Sequence, residues 1–178
     1  MRLIDTHSHI FLEEFSEDLP QVIERARAVG ITHIFMPNID STTIDAMLSV
    51  CNTYKGYCFP MIGLHPTSVN ADYERELEFV ARELESSREY VAIGEVGMDL
   101  YWDKTFLKEQ QTVLDRQINW ALEYELPVVI HCRDAFDYIY KVLEPYKNTP
   151  LKGIFHSFTG SAEEAARILE LSLIHISE

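Results

Sequence analysis

Only three cysteines occur in the 178 residues, Cys51, Cys58 and Cys132, an odd number with no CxxC pair. Neither a disulfide framework nor a cysteine zinc knuckle is indicated on that count. No apolar stretch approaches the ~20 residues that a bilayer-crossing helix needs. Met1-Arg2-Leu3-Ile4 runs straight into the polar Asp5-Thr6-His7-Ser8-His9, without the apolar segment of a signal peptide. Positive charge is scarce: 15 Lys and Arg stand against 29 Asp and Glu, a net charge of −14. That balance argues against a broad basic surface for nucleic acid, because phosphate neutralisation by Lys and Arg dominates such binding. An enzyme that meets phosphate only at a local cationic site is not excluded, since bound divalent ions bring their own positive charge. These absences leave a soluble, cytoplasmic protein that does not engage membranes as the expectation, with a monomer as the expected state.

What the chain does contain is 47% hydrophobic and 25% charged residues, the make-up of a globular domain. Apolar, β-branched runs return about every thirty residues: Leu3–Thr6, Ile31–Met36, Phe59–Leu64, Val91–Val96, Val128–Ile130 and Gly153–Phe155. Helical periodicity follows each. The stripe Val22, Ile23, Ala26, Val29 starts beside Pro20 and stops at Gly30, which suits a left-handed cap. Further stripes are Leu77, Val80, Ala81, Leu84 after Asp72, and Phe106, Val113, Leu114, Ile118, Ala121, Leu122 after Trp102. Phe136, Ile139, Tyr140 and Leu143 form another, and a capping box Ser161/Glu164 opens the last, with Ala165, Ile168 and Leu169 as its apolar face. Apolar strands alternating with amphipathic helices predict a parallel sheet covered by helices, an α/β class. Two architectures fit, a doubly wound sheet or a (β/α)8 barrel. Six units fill an open sheet and fall two short of a barrel, so periodicity alone favours the open sheet, and the chemistry below reverses that.

The chemistry-bearing residues are not scattered. His7 and His9 end the first strand at i and i+2, on one face and ~6.6 Å apart along it. His65, His131 and His156 each follow an apolar strand, and Glu95 follows Val91-Ala92-Ile93-Gly94. In a barrel those carboxyl ends form one rim, where α/β proteins place their ligands. Imidazole and carboxylate suit Zn²⁺, Mn²⁺ or Fe²⁺. A carboxylate between two cations bridges them at the ~3.5–4 Å spacing of two-metal chemistry, and Glu95 is the natural bridge. A salt-bridged structural carboxylate or a general base are its alternative roles. His33, inside the second strand, is read as structural. Arg133 either contacts a substrate phosphate or pairs with Asp134 or Asp137. Asp99 is expected to order the loop it shares with Tyr101. Trp102 and Phe106 are expected to be buried against a helix rather than to stack on bases. Cys132 is expected to face the helices.

The motifs Asp5-Thr6-His7-Ser8-His9, Gly63-Leu64-His65-Pro66, Gly94-Glu95-Val96-Gly97-Met98-Asp99, Ile130-His131-Cys132-Arg133-Asp134-Ala135 and Phe155-His156-Ser157-Phe158-Thr159-Gly160 resemble, in order and spacing, those of the TatD family of metal-dependent deoxyribonucleases. The resemblance runs from Met1 to about Glu170. It implies an incomplete (β/α)8 TIM barrel holding about six of its eight units. It also implies hydrolysis of DNA phosphodiester bonds with two divalent ions (Mg, Mn, Zn or Fe). By the same resemblance His7 and His9 bind one ion, Glu95 bridges as a catalytic ligand, and His131 and His156 bind the second. His65 is a catalytic or substrate-contacting residue. Cys132 stands where the family often has Ser, and Ser157 where it often has Cys. The family's last metal ligand, an aspartate in a Thr-Asp-Ser/Ala-Pro context, has no counterpart in these residues. The expectations are therefore a partial barrel over residues 1–170 and, from the adaptor-like string Leu171–Glu178, a non-native tail that packs poorly. Alternatives to the nuclease are a related amidohydrolase-type activity and an inactive fragment. A urease- or phosphotriesterase-like centre is disfavoured, because Glu95 stands where those carry a carboxylatable lysine.

Overall fold

β-Branched and apolar runs become strands wherever both faces are to be covered, and the amphipathic stretches between them supply the cover. The computed structural model describes residues 2–86 and 88–175. In chain order these form β1 (Leu3–Asp5), α1 (Leu19–Ala28), β2 (Ile31–Pro37), α2 (Ile44–Thr53), β3 (Cys58–Met61), α3 (Tyr73–Glu85), β4 (Ile93–Asp99) and α4 (Leu107–Glu123). The series continues with β5 (Val128–Arg133), α5 (Phe136–Leu143), β6 (Gly153–Phe155), α6 (Ala162–Glu170) and β7 (Ile174–His175). Every strand pairing is parallel and the order is sequential, β1-β2-β3 in one ladder and β4-β5-β6-β7 in the other. The ladders are stitched at a parallel bridge between Ile62 and Ile93. There the Ile62 amide donates to Ala92 at 3.1 Å and the Gly94 amide donates to Ile62 at 2.9 Å.

The sheet curls. In a flat sheet β1 and β6 would stand roughly 24 Å apart, five strand spacings of ~4.8 Å. Yet the rings of His7, just beyond β1, and His156, just beyond β6, stack at 3.8 Å. Sequential order without reversal and this closure give the barrel-type α/β fold and remove the doubly wound alternative. β4 is buried along its whole length. Its Ile93, Val96 and Met98 join Ile62, Leu64, Leu114, Ile118, Ile130, Ile139 and Phe155 in the core.

Several local expectations hold. Gly30 takes φ +93° after α1, and both bonds of the Ser161/Glu164 capping box form. Others do not. Val29 and Leu169 are exposed, each at the fringe of its stripe. The string from Leu171 packs better than expected: Leu171 and Leu173 are buried, and residues 174 and 175 pair with β6. Alternating apolar residues beside the open edge of β6 find both pairing partners and cover there. Residues 176–178 lie outside the described residues. No helix among the described residues is long and apolar enough to cross a membrane.

Gly97 of β4 pairs with His131 of β5. Gly97 has φ +138°, and a Cβ there would stand 2.0 Å from the carbonyl oxygen of His131. Gly97→Ala should destabilise the protein by more than the ~1–3 kcal/mol of backbone strain alone, since the strands must also part. Urea unfolding reads this, and a loss below about 1 kcal/mol would show that the strands accommodate the methyl group.

Candidate metal centre

Backbone bonds set the reach of each site residue. The Ser8 amide donates to Phe35 at 3.0 Å, keeping the chain after β1 alongside β2, so His7 and His9 project together. The Glu95 amide donates to Asn38 at 3.2 Å, the His65 amide to Ile39 at 2.8 Å and the His156 amide to Ile130 at 3.1 Å. Five imidazoles thereby surround the buried carboxylate of Glu95. Its Oε2 lies 3.0 Å from His7 Nε2 and 3.4 Å from His9 Nε2. Its Oε1 lies 2.6 Å from His156 Nε2, 3.0 Å from His131 Nδ1 and 3.5 Å from His65 Nε2.

Two sets of three possible metal donors result among the described residues, His7/His9/Glu95 and His65/Glu95/His131. In the first set His7 Nε2 and His9 Nε2 are 3.2 Å apart. That triangle, with edges of 3.0, 3.2 and 3.4 Å, can be compared with the donor spacing of a tetrahedral ion. Bonds of ~2.0–2.1 Å at a tetrahedral angle place donors about 3.3 Å apart. The donor set fits a small divalent cation. A single carboxylate with one oxygen in each set is also the arrangement a bridge requires.

The second set differs from the expectation in one respect. His65 rather than His156 completes it, because the His156 ring lies flat on His7 and approaches Oε1 from that side. Hydrogen bonding nevertheless distinguishes His65 from a ligand. Its Nδ1 accepts the Thr67 amide at 3.2 Å, so a neutral ring carries its proton on Nε2, facing Glu95. A protonated nitrogen donates and does not ligate.

Burial raises the pKa of Glu95, but bonds from His131, His156, His65 and His7 outweigh it and hold the carboxyl well below the usual range. At His7, by contrast, burial prevails over the attraction of Glu95 and lowers the pKa, favouring the neutral ring. At His131 burial opposes the charge, yet Glu95 and Asp99 together raise the pKa.

Asp99 does more than order its loop. One oxygen accepts the Tyr101 amide at 3.1 Å, while the other sits 2.9 Å from His131 Nε2. His131 is thus gripped at both nitrogens. Sequence reasoning missed two further positioning residues, the buried glutamines of α4. Gln117 accepts the Leu64 amide at 2.7 Å and donates to the Leu64 carbonyl at 3.2 Å, fixing the residue before His65. Gln110 makes the same pair of bonds to Asp99, at 2.9 and 3.1 Å. The signal that could have found them is polarity at i and i+7 within the apolar stripe of α4. Asn38 was missed too. Fully buried, it donates through Nδ2 to the Gly63 carbonyl at 3.1 Å and ties the chain just after β2 to the chain just after β3.

Arg133 pairs with neither Asp134 nor Asp137. Asp137 binds Arg167 at 2.9 Å, and the Arg133 guanidinium lies over Tyr101, 3.8 Å from the ring centroid. Trp102 corrects the expectation of burial: it is 74% exposed, because α4 begins only at Leu107 and leaves it in the preceding loop. Phe106 does pack against the core. Cys132 is half-buried against the core, toward α5. His33 lies within β2, its ring stacked on Phe59, and takes no part in the cluster.

A curled parallel sheet presenting histidines around one buried carboxylate at its carboxyl rim defines a barrel-type protein with a candidate metal site. The chain belongs to the TatD-related DNase family, whose model matches residues 4–177. It is 36% identical over 170 residues to the uncharacterized metal-dependent hydrolase YabD of Bacillus subtilis, covering 96% of this chain and 66% of that protein. It is 30% identical over 171 residues to the 3'-5' ssDNA/RNA exonuclease TatD of a Pantoea strain, covering 96% of this chain and 65% of that one. The crystal structure of the Escherichia coli TatD homologue YjjV superposes with a TM-score of 0.87 at 30% identity, over 98% of this chain and 67% of that one. The chain spans about two thirds of the length of these curated relatives, 65 to 66%.

Proposed function

We propose that this chain carries a divalent-metal-dependent phosphodiesterase site whose substrate is DNA. The observation that supports it best is the buried Glu95 carboxylate with a separate histidine set at each oxygen. His7, His9 and Oε2 would hold one ion; His131, His156 and Oε1 would hold the other. Bound divalent ions supply an acidified water and positive charge for the phosphoryl oxygens. The protein's own groups do the rest. Glu95 stays ionised at neutral pH and compensates positive charge on both sides. Asp99 fixes the orientation of His131. His65, with its proton on Nε2 at the edge of the cluster, donates to the substrate or leaving group. Arg133 contacts a flanking phosphate. The Pantoea relative's name, a single-strand DNA and RNA exonuclease, supports a nucleic acid substrate for this chain as well. Three free cysteines suit a reducing cytoplasm.

Protein carrying this chain should cleave DNA when given Mn²⁺ or Mg²⁺, and EDTA should stop it. Cleavage that EDTA leaves untouched, or hydrolysis confined to lactones and phosphotriesters, would refute the reading.

A further inference from the structure

Two large aromatic rings stand in solvent on the rim of this site. Tyr101 is 52% exposed and Trp102 74%, and their rings meet edge to face at 4.7 Å. Soluble proteins seldom leave paired aromatic rings so open without a use for the surface. The rings are not on a loose loop. The Tyr101 amide is held by Asp99 Oδ1 at 3.1 Å, and the Leu100 amide donates to the Arg133 carbonyl at 3.0 Å. Arg133 follows His131 by two residues in β5, so it leaves the sheet on the same face, ~6.6 Å along the strand. Its guanidinium lies 3.8 Å from the Tyr101 centroid and 5.4 Å from the Trp102 centroid, and no carboxylate pairs with it among the described residues. A cation resting on a ring keeps its N–H edge available to an anion.

We propose that Tyr101, Trp102 and Arg133 form a nucleotide subsite: one unpaired base stacks on Trp102 while Arg133, braced on Tyr101, contacts its phosphate. The inference rests on the nuclease reading and adds to it the residues that receive one base; single-strand DNA is already in the Pantoea relative's name. A chain with net charge −14 cannot hold a phosphate backbone over a wide surface, so affinity has to come from stacking plus one local cation. A base reaches the Trp102 face only when unstacked from its own strand and unpaired from another. The subsite therefore selects single strands and frayed ends over closed duplex.

Binding tests this independently of cleavage. In EDTA, a fluorescein-labelled oligothymidylate, an abasic strand of the same length and a blunt duplex are titrated against wild type, Trp102→Ala and Trp102→Phe, with anisotropy as the readout. Wild type should bind the base-bearing strand at least roughly tenfold tighter than the abasic strand or the duplex, given the usual strength of base–aromatic stacking. Trp102→Ala should lose that preference and Trp102→Phe keep most of it. Equal binding of base-bearing and abasic strands by wild type, or a preference unchanged in Trp102→Ala, overturns the subsite. Base-dependent binding without any metal-dependent cleavage would instead sink the nuclease reading and leave the subsite standing. Cleavage with base-independent binding would do the opposite.

Discussion

Glu95→Gln should abolish metal-dependent hydrolysis, by at least about a hundredfold, without unfolding the protein. The amide keeps the volume and one acceptor oxygen of the carboxylate but removes the one anion that, among the described residues, contacts both histidine sets. It also turns a donor toward nitrogens that must offer lone pairs to a cation. On the proposed two-ion reading the ions lose the charge that would compensate them, so metal stoichiometry should fall along with activity. Calorimetric metal titration and a DNA cleavage assay on the same preparation read both quantities, and a thermal melt in EDTA reads the fold. A structural carboxylate makes the opposite prediction: a collapsed melting curve with normal activity in whatever protein stays folded. That result would remove Glu95 from the site's chemistry.

Asp99→Asn should weaken metal binding at the His131 side by roughly 10–100-fold, the usual effect of losing a carboxylate that orients a ligating histidine. The asparagine still caps the Tyr101 amide through its oxygen, so the loop survives. What is lost is the charge 2.9 Å from His131 Nε2, which fixes the tautomer and makes Nδ1 the better ligand. The metal concentration needed for half-maximal activity reports this directly. Should that concentration be unchanged in Asp99→Asn, then Asp99 serves the loop alone and the grip on His131 is incidental.

The distribution of histidines was legible because it depends on strand periodicity alone. His7, His9, His65, His131 and His156 all sit where apolar runs stop, and parallel sheets bring such stops to one rim. The capping box of α6 and the cap at Gly30 were legible for a similar local reason. What could not be read are contacts whose partners the sheet's curl selects. The bond between Asp99 and His131 joins neighbouring strands through a register that Gly97 alone permits. The flat packing of His156 on His7 joins strands that are remote in sequence. Trp102 was misjudged because a large ring just ahead of a helix was expected to pack against it, whereas the loop before Leu107 carries it out into solvent. The burial of Leu171 and Leu173 reflects an available sheet edge rather than anything peculiar to that string.

The two glutamines of α4 carry a consequence for how such a site can vary over time. Gln110 fastens the end of β4 and Gln117 the end of β3, two turns of one helix apart. A single rigid rod therefore gauges the distance between the strand ends that bear His65 and Asp99. The connections around it can lengthen, shorten or change composition while the gauge stays the same. One residue inserted between the glutamines would turn one of them about 100° away from its strand and detach half of the rim. Change is thus tolerated in the loops and not in the eight consecutive helical positions from Gln110 to Gln117, whose spacing has to be inherited whole.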